Sequence, residues 1–320
     1  MTGAALPIAL LLFAACDGSS TDSEPPTKAE LLDEYALAGD DSYPESVAWD
    51  PESRSFFTSS LGRGDVTRVQ ADGSSSVFYA GKEDHPWVTI GLEVDSARRR
   101  LWVCASVFDG SAPGELWLID LDSAALLQTL SLGGARADAS CTDVFLDPDG
   151  IAFVTDRENP DVYRVDAATG TAEVWVEDPL LEAALVGLNG VAITPDRKNL
   201  LVTKYLEATL IRIPLDDPSA LAAVSLSGDP FEGQSPLSGA DDIVFVEDTL
   251  YATLVDRLFT LTSGDGSWTD AVVVSEDVEA GGLTGLTAAE GSLYGANGHA
   301  VEYSLGMDPD TDFWIRRLRD

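Results

Sequence analysis

The chain is poor in positive charge. Its 320 residues carry 19 Lys and Arg against 55 Asp and Glu, for a net charge of -36. A surface of that sign repels phosphate, which excludes an ordinary nucleic-acid partner and a polyphosphate ligand. Histidine is almost missing, with His85 and His299 the two present. A three-histidine zinc site is therefore impossible, and any Ser-His-Asp triad must use one of these two loop residues. Neither a Gly-Xaa-Ser-Xaa-Gly elbow nor a glycine-rich phosphate loop ahead of a helix occurs. The 28 glycines show no three-residue period and apolar residues rarely hold a helical spacing, so collagen and coiled-coil architectures fail as well. What the chain does have is core material: 45% hydrophobic against 23% charged residues excludes wholesale disorder. The acidity has two readings, a solvated surface suited to salty water and a field that helps draw in a cation.

Residues 4 to 15 form one uncharged apolar run, too short to cross a bilayer as a mature helix and of the length of a signal-peptide core. It ends in Leu12-Phe13-Ala14-Ala15-Cys16 and turns abruptly to Asp17-Gly18-Ser19-Ser20. This resembles a bacterial lipoprotein signal with its lipobox, although no Lys or Arg precedes the run and Phe13 stands where Leu is usual. The resemblance implies a signal peptide over residues 1–15, lipidation at Cys16 and a lipid-anchored flexible tether over 16–32, polar and proline-rich at 17–26. The expected location is the bacterial cell envelope on the periplasmic side, touching the membrane through the lipid alone. A plain secretory signal is the other reading. Cys104 and Cys141 would then meet an oxidising compartment in which a disulfide persists; a pair of buried free thiols fits equally, since Cys104 follows Leu101-Trp102-Val103.

One pattern recurs along the rest of the chain: an apolar strand, a turn of Asp, Pro and Gly, a second apolar strand, a polar break and a third alternating strand. The clearest copy is Asp143 to Gly150, then Ile151 to Asp156, Asp161 to Asp166, and Ala172 to Val176. Similar units begin near Ser46, Ile90, Gly190, Asp242 and Leu283, at spacings of 41 to 53 residues. That spacing suits a four-stranded propeller blade with its loops. Side chains alternate, as in Thr209-Leu210-Ile211-Arg212-Ile213, and Asp147-Pro148-Asp149-Gly150 supplies a tight turn. The expectation is an all-β, six-bladed propeller of four-stranded antiparallel blades over residues 33–320, with a monomer expected. Glu34 to Ala38 is expected to complete the last blade, because an open sheet edge invites aggregation. Short helical turns are expected at Thr27-Lys28-Ala29-Glu30, Asp178-Pro179 and Asp217-Pro218. The seven Trp and eleven Phe are read as core between blades.

Residues just before each blade's first strand crowd the mouth of the central channel. Three of them, Glu45, Asn189 and Asp241, are hard oxygen donors suited to calcium or magnesium, and also to zinc with waters. Here the chain resembles the SMP-30/gluconolactonase/LRE-like (regucalcin-like) family over about residues 43 to 300. Pro44-Glu45-Ser46 is similar to its first-blade motif, Leu188-Asn189-Gly190 to its Asn-Gly motif, and Ala240-Asp241-Asp242 to its Pro-Asp-Gly motif. The resemblance implies one divalent cation, calcium by first expectation, held by Glu45, Asn189 and Asp241, with Asp241 as the catalytic base. It implies hydrolysis of a small lactone or related ester, the cation polarising the carbonyl and activating water. Thr142 and Asp143 stand where the family places an Asn-Asp-Gly run and are the expected substrate-binding pair. Asp242 is read as a structural carboxylate, and Lys204 as a structural ion-pair partner of Asp156, with Tyr205 beside it. No arginine placed to grip a substrate is evident. The rival reading is a non-catalytic periplasmic propeller with a structural metal that binds a protein or small ligand.

Overall fold

The computed structural model describes residues 1, 30–39, 41–183, 185–233, 239–278, 281–308 and 312–320. The apolar run, Cys16, residues 17–26 and most of the Thr27–Glu30 segment lie outside them. Leu31–Asp320 forms one compact unit. Leu31 shares one apolar cluster with Tyr35, Trp49 and Phe56, so this unit includes residues 31 and 32 of the segment read as tether.

The described residues build a six-bladed β-propeller. Blade 1 is Val47–Asp50, Ser55–Thr58, Val66–Gln70 and Ser75–Tyr79. Blade 2 is Val88–Asp95, Arg100–Ser106, Glu115–Asp120 and Leu126–Ser131. Blade 3 is Val144–Leu146, Ile151–Thr155, Asp161–Asp166 and Thr171–Glu177, the strands its sequence pattern outlined. Blade 4 is Leu188–Ile193, Asn199–Lys204, Thr209–Pro214 and the stub Ala222–Ala223. Blade 5 is Ile243–Val246, Thr249–Leu254, Arg257–Thr262 and Asp270–Asp277. It carries an unforeseen fifth strand, Ser225–Gly228, laid parallel on Asp270–Asp277 by the connection from blade 4. Blade 6 is Leu283–Ala289, Ser292–Asn297 and Trp314–Arg319, completed by Glu34–Ala36 in antiparallel register with Trp314–Arg316. Closing the ring with the first strand removes two exposed edges at once.

The turns between first and second strands follow from their Asp residues. Asp147 accepts the Gly150 and Ile151 amides, and Gly150 holds φ +88°, where a side chain would be strained. Asp178 caps the 3-10 turn Pro179–Leu181, whereas Asp217 makes no side-chain cap to Pro218–Ala220. Between blades the core is aromatic: Trp102, Trp117, Trp268, Phe56, Phe57 and Phe259 are fully buried, each contributing on the order of 2 to 3 kcal/mol of apolar burial.

Blade-to-blade contact at the axis obeys an alternation that runs right round the ring. The position that is Ser46, Asp143 and Asp242 in blades 1, 3 and 5 is Gly91, Gly190 and Gly285 in blades 2, 4 and 6. Each odd-blade side chain accepts the amide just after the glycine of the next blade: Ser46 from Leu92 at 3.3 Å, Asp143 from Val191 at 3.0 Å, Asp242 from Leu286 at 2.7 Å. A Cβ on Gly190 would meet Asp241 O at 2.6 Å and Asp242 Cα at 3.0 Å, so the glycine sets how closely the two strands approach. A second set of hydroxyls, at the ends of the second strands, braces the neighbouring inner strand: Ser106 donates to Cys141 O at 2.9 Å and Thr155 to Asn189 O at 2.6 Å. Beside the first of these, Cys104 in blade 2 is joined by a disulfide to Cys141 at the entrance of blade 3.

Candidate active site

Four of the residues singled out from the sequence meet in one place. Glu45, Thr142, Asn189 and Asp241, from blades 1, 3, 4 and 5, line a cavity of about 240 Å³ at the starts of the inner strands. Each immediately precedes the alternating ring of Ser, Asp and Gly, so successive residues serve opposite ends: one faces the cavity, the next staples blades together. Blade 2 contributes Ile90 to the cavity. Its neighbour Thr89 turns away and donates to Asp65 O at 2.7 Å.

Asp241 is 2% exposed. Its Oδ1 accepts from Asn189 Nδ2 at 2.6 Å, while Oδ2 finds no hydrogen-bond donor among the described residues. Burial raises its pKa well above the usual carboxylate range, and the charge of Asp242 raises it further. Glu45 is raised likewise, first by burial and then by repulsion from Asp241, Asp143 and Asp242. Two buried carboxylates that repel each other, one with an unpartnered oxygen, together with an amide oxygen, are chemically a hard-cation donor set. The residues therefore fit the divalent cation the sequence resemblance implies.

Asp143 does not share this cavity. Its Oδ1 accepts from Val144 N at 2.8 Å and its Oδ2 from Val191 N at 3.0 Å. The structure does not bring it together with Thr142: it is a blade staple and lines a separate cavity of about 210 Å³, with Glu93 and Asp242. Asp242 is also structural, accepting from Ile243 N and Leu286 N, each at 2.7 Å.

The Lys204–Asp156 pair is corrected. Lys204 pairs with Glu207, one turn along its own loop. Asp156 instead gathers donors from Ser140 N at 3.0 Å, Glu158 N at 2.8 Å, Asn159 N at 3.0 Å and the Tyr163 hydroxyl at 2.7 Å. That network fixes the turn carrying Arg157. The Arg157 amide donates to Thr142 Oγ1 at 3.0 Å, and its guanidinium lies 3.7 Å over the Phe108 ring, donates to Glu158 at 3.1 Å and lines the cavity. An arginine at the site, unrecognised in the sequence, is thus present. The signal was in the repeat. Two residues beyond the second-strand hydroxyls Ser59, Ser106, Thr155 and Thr203 stand Leu61, Phe108, Arg157 and Tyr205, and all four line the cavity.

Neither histidine belongs to this lining. His85 is exposed, edge-on to Trp87 with ring centres 5.7 Å apart. His299 is buried at the N-terminus of the helix Ala300–Leu305, where it contacts Phe313 and approaches Glu302 at 3.5 Å.

No family model matches the sequence, and no curated protein matches it. Solved structures do. The chain is similar to the Malassezia sympodialis allergen Mala s 1, with 16% identity, a TM-score of 0.67 and coverage of 90% of this chain and 96% of that one. It is similar to a gluconolactonase from Xanthomonas campestris, at 18% identity, a TM-score of 0.61 and 88% coverage of both chains. A luciferin-regenerating enzyme matches at 12% identity and a TM-score of 0.62, over 88% of this chain and 94% of that one. At these identities the likeness carries the six-bladed fold, which the chain shares with proteins of unlike purpose.

Proposed function

We propose that this protein is a divalent-cation-dependent hydrolase of a lactone or related ester, with its site at the channel mouth. The observation that carries the reading is Asp241 Oδ2, buried with no donor among the described residues, together with a second buried carboxylate, Glu45, in a cavity large enough for a small molecule. The likeness to a gluconolactonase structure supports it.

Glu45, Asn189 and Asp241 are the residues that would hold the cation. When bound, it supplies Lewis-acid polarisation of a carbonyl and makes water more acidic. Asp241 takes up the proton of the attacking water as general base. Arg157 offers guanidinium N–H groups to ester or carboxylate oxygens, and Phe108 beneath it limits its movement. Water adds to the carbonyl carbon, the ring C–O bond breaks, and the departing ring oxygen receives a proton, giving a hydroxy acid.

The test is turnover of small lactones by the full chain with and without chelator. Loss of turnover on chelation and in Glu45→Gln supports hydrolysis. Tight cation binding, seen as a rise in melting temperature, without turnover of any lactone would instead make the cation structural and the propeller a binder.

We further propose that Cys16 carries a lipid that holds the propeller in the cell envelope on the periplasmic side. A buried Cys104–Cys141 disulfide supports an oxidising compartment. Labelled fatty acid should enter the native chain and not Cys16→Ser; labelling of neither would leave a plain secretory signal.

A further inference from the structure

The walls of the cavity differ in character from its floor. Acid, amide and guanidinium groups lie together at the strand starts, while Leu61, Ile90, Val186, Leu206 and Val301 close the sides. At the rim the apolar surface does not stop: Leu185 is 77% exposed and Leu305 59% exposed, and both also line the cavity. Large apolar side chains held in water beside an apolar cavity mark a surface that a ligand covers. A polyol would find few partners on these walls, and each buried hydroxyl left without one costs about 1 to 3 kcal/mol.

We propose that the substrate is amphiphilic: a lactone or ester ring seated on Glu45, Asn189, Asp241 and Arg157, bearing a hydrocarbon chain that runs along Val301 and out past Leu185 and Leu305. The inference rests on the hydrolase reading for the ring and on the wall and rim residues for the chain. Polyhydroxylated sugar lactones are correspondingly poor ligands.

The experiment compares, on the full chain with calcium, γ-lactones whose alkyl side chains lengthen from ethyl to decyl, and a polyhydroxy lactone of the same ring size. KM falls about two- to fourfold for each added methylene until the chain leaves the cavity, the upper figure corresponding to about 0.8 kcal/mol per buried CH2. Val301→Ser and Leu305→Ser flatten that dependence, raising KM most for the longest chains. Val272→Ser, an equal apolar loss on the fourth strand of blade 5 and outside the cavity lining, leaves the slope as it was. A KM independent of chain length, or preference for the polyhydroxy lactone, overturns the inference while the hydrolase reading stands. If no lactone turns over, the corresponding hydroxy acids are titrated against a fluorescent apolar probe on the metal-free protein. Affinity rising with chain length then upholds the amphiphilic ligand as the hydrolase reading falls, and flat affinity removes both.

Discussion

Asn189 Nδ2 donates to Asp241 Oδ1 at 2.6 Å across 52 residues of sequence and from one blade to the next. The bond turns one Asp241 oxygen toward a neighbour and leaves the other, buried, with no donor among the described residues. Replacing Asp241 by Asn removes the charge and, in the proposed mechanism, the base. The expected loss in lactone turnover is about a hundredfold or more. Calcium should raise the melting temperature of the native protein by several degrees and that of Asp241→Asn by little. Without cation the variant should melt no lower than the native chain at neutral pH, because a carboxylate held above its ordinary pKa is a burden to the folded state. Thermal melts with calcium and with chelator decide the matter; full activity in the variant would remove Asp241 from the chemistry.

The second channel cavity gives stability a pH dependence. Glu93 is pushed up from an ordinary value of 4.5 to about 8, first by burial and then by the charges of Asp242 and Asp95, and Asp242 itself is raised to about 7 by burial. The folded state thus keeps protons that the unfolded chain releases, so stability is greatest near pH 5 and declines as pH rises through 7 and 8. Denaturant melts at pH 5, 6, 7 and 8 should show that decline. Glu93→Gln should shallow it, and a native profile that climbs over this range would contradict the assignment.

The alternation of Asp and Gly at the axis predicts unequal costs. Asp143→Ala strips the Val191 amide of its acceptor in a buried setting, for a loss of about 1 to 3 kcal/mol. Gly190→Ala places a methyl against Asp241 O and the Asp242 backbone. That substitution should destabilise more than Asp143→Ala and also weaken cation binding, because the strand it displaces carries Asp241. Urea unfolding and calcium titration of the two variants make the comparison.

Cys104 and Cys141 close a loop of sequence separation 37 between blades 2 and 3. Chain-entropy arguments give a stabilisation on the order of 4 kcal/mol for a loop of that length. The double variant Cys104→Ala and Cys141→Ala should therefore unfold at lower denaturant by up to that amount, with its calcium affinity retained. No difference between the oxidised native protein and the double variant would show that the reduced chain pays nothing for the open loop.

Much of the ring was legible in the sequence because a propeller repeats its demands. Each blade needs a turn at the same offset, so Asp147-Pro148-Asp149-Gly150 and its counterparts announced the strands on either side, and Tyr35 in a short alternating segment announced the strand that closes blade 6. Glu45, Asn189 and Asp241 were legible for the same reason, as residues at one register position in different copies. Asp143 parts from Thr142 because period two places neighbouring residues on opposite sides, and a one-residue step leads from the cavity lining to a blade staple. Arg157 was missed because it follows the second strand, outside the motif, although Leu61, Phe108 and Tyr205 occupy the same offset. Ser225–Gly228 had no sequence signal at all, since a short parallel strand on a blade edge is fixed by the path of a connection.

The amino-acid sequence by itself determined the number of blades, the turn chemistry, the closing strand and the set of acids and amides at the channel mouth. These are properties of local pattern and of repetition, and they depend on neighbours a few residues away. Tertiary structure alone decided which of two adjacent carboxylates lines the channel-mouth cavity, that Lys204 pairs with Glu207, that Cys104 meets Cys141, and that the walls around the polar floor are mostly apolar. Those outcomes depend on which side chains from different blades arrive at the same point in space, and only closure of the ring brings them there.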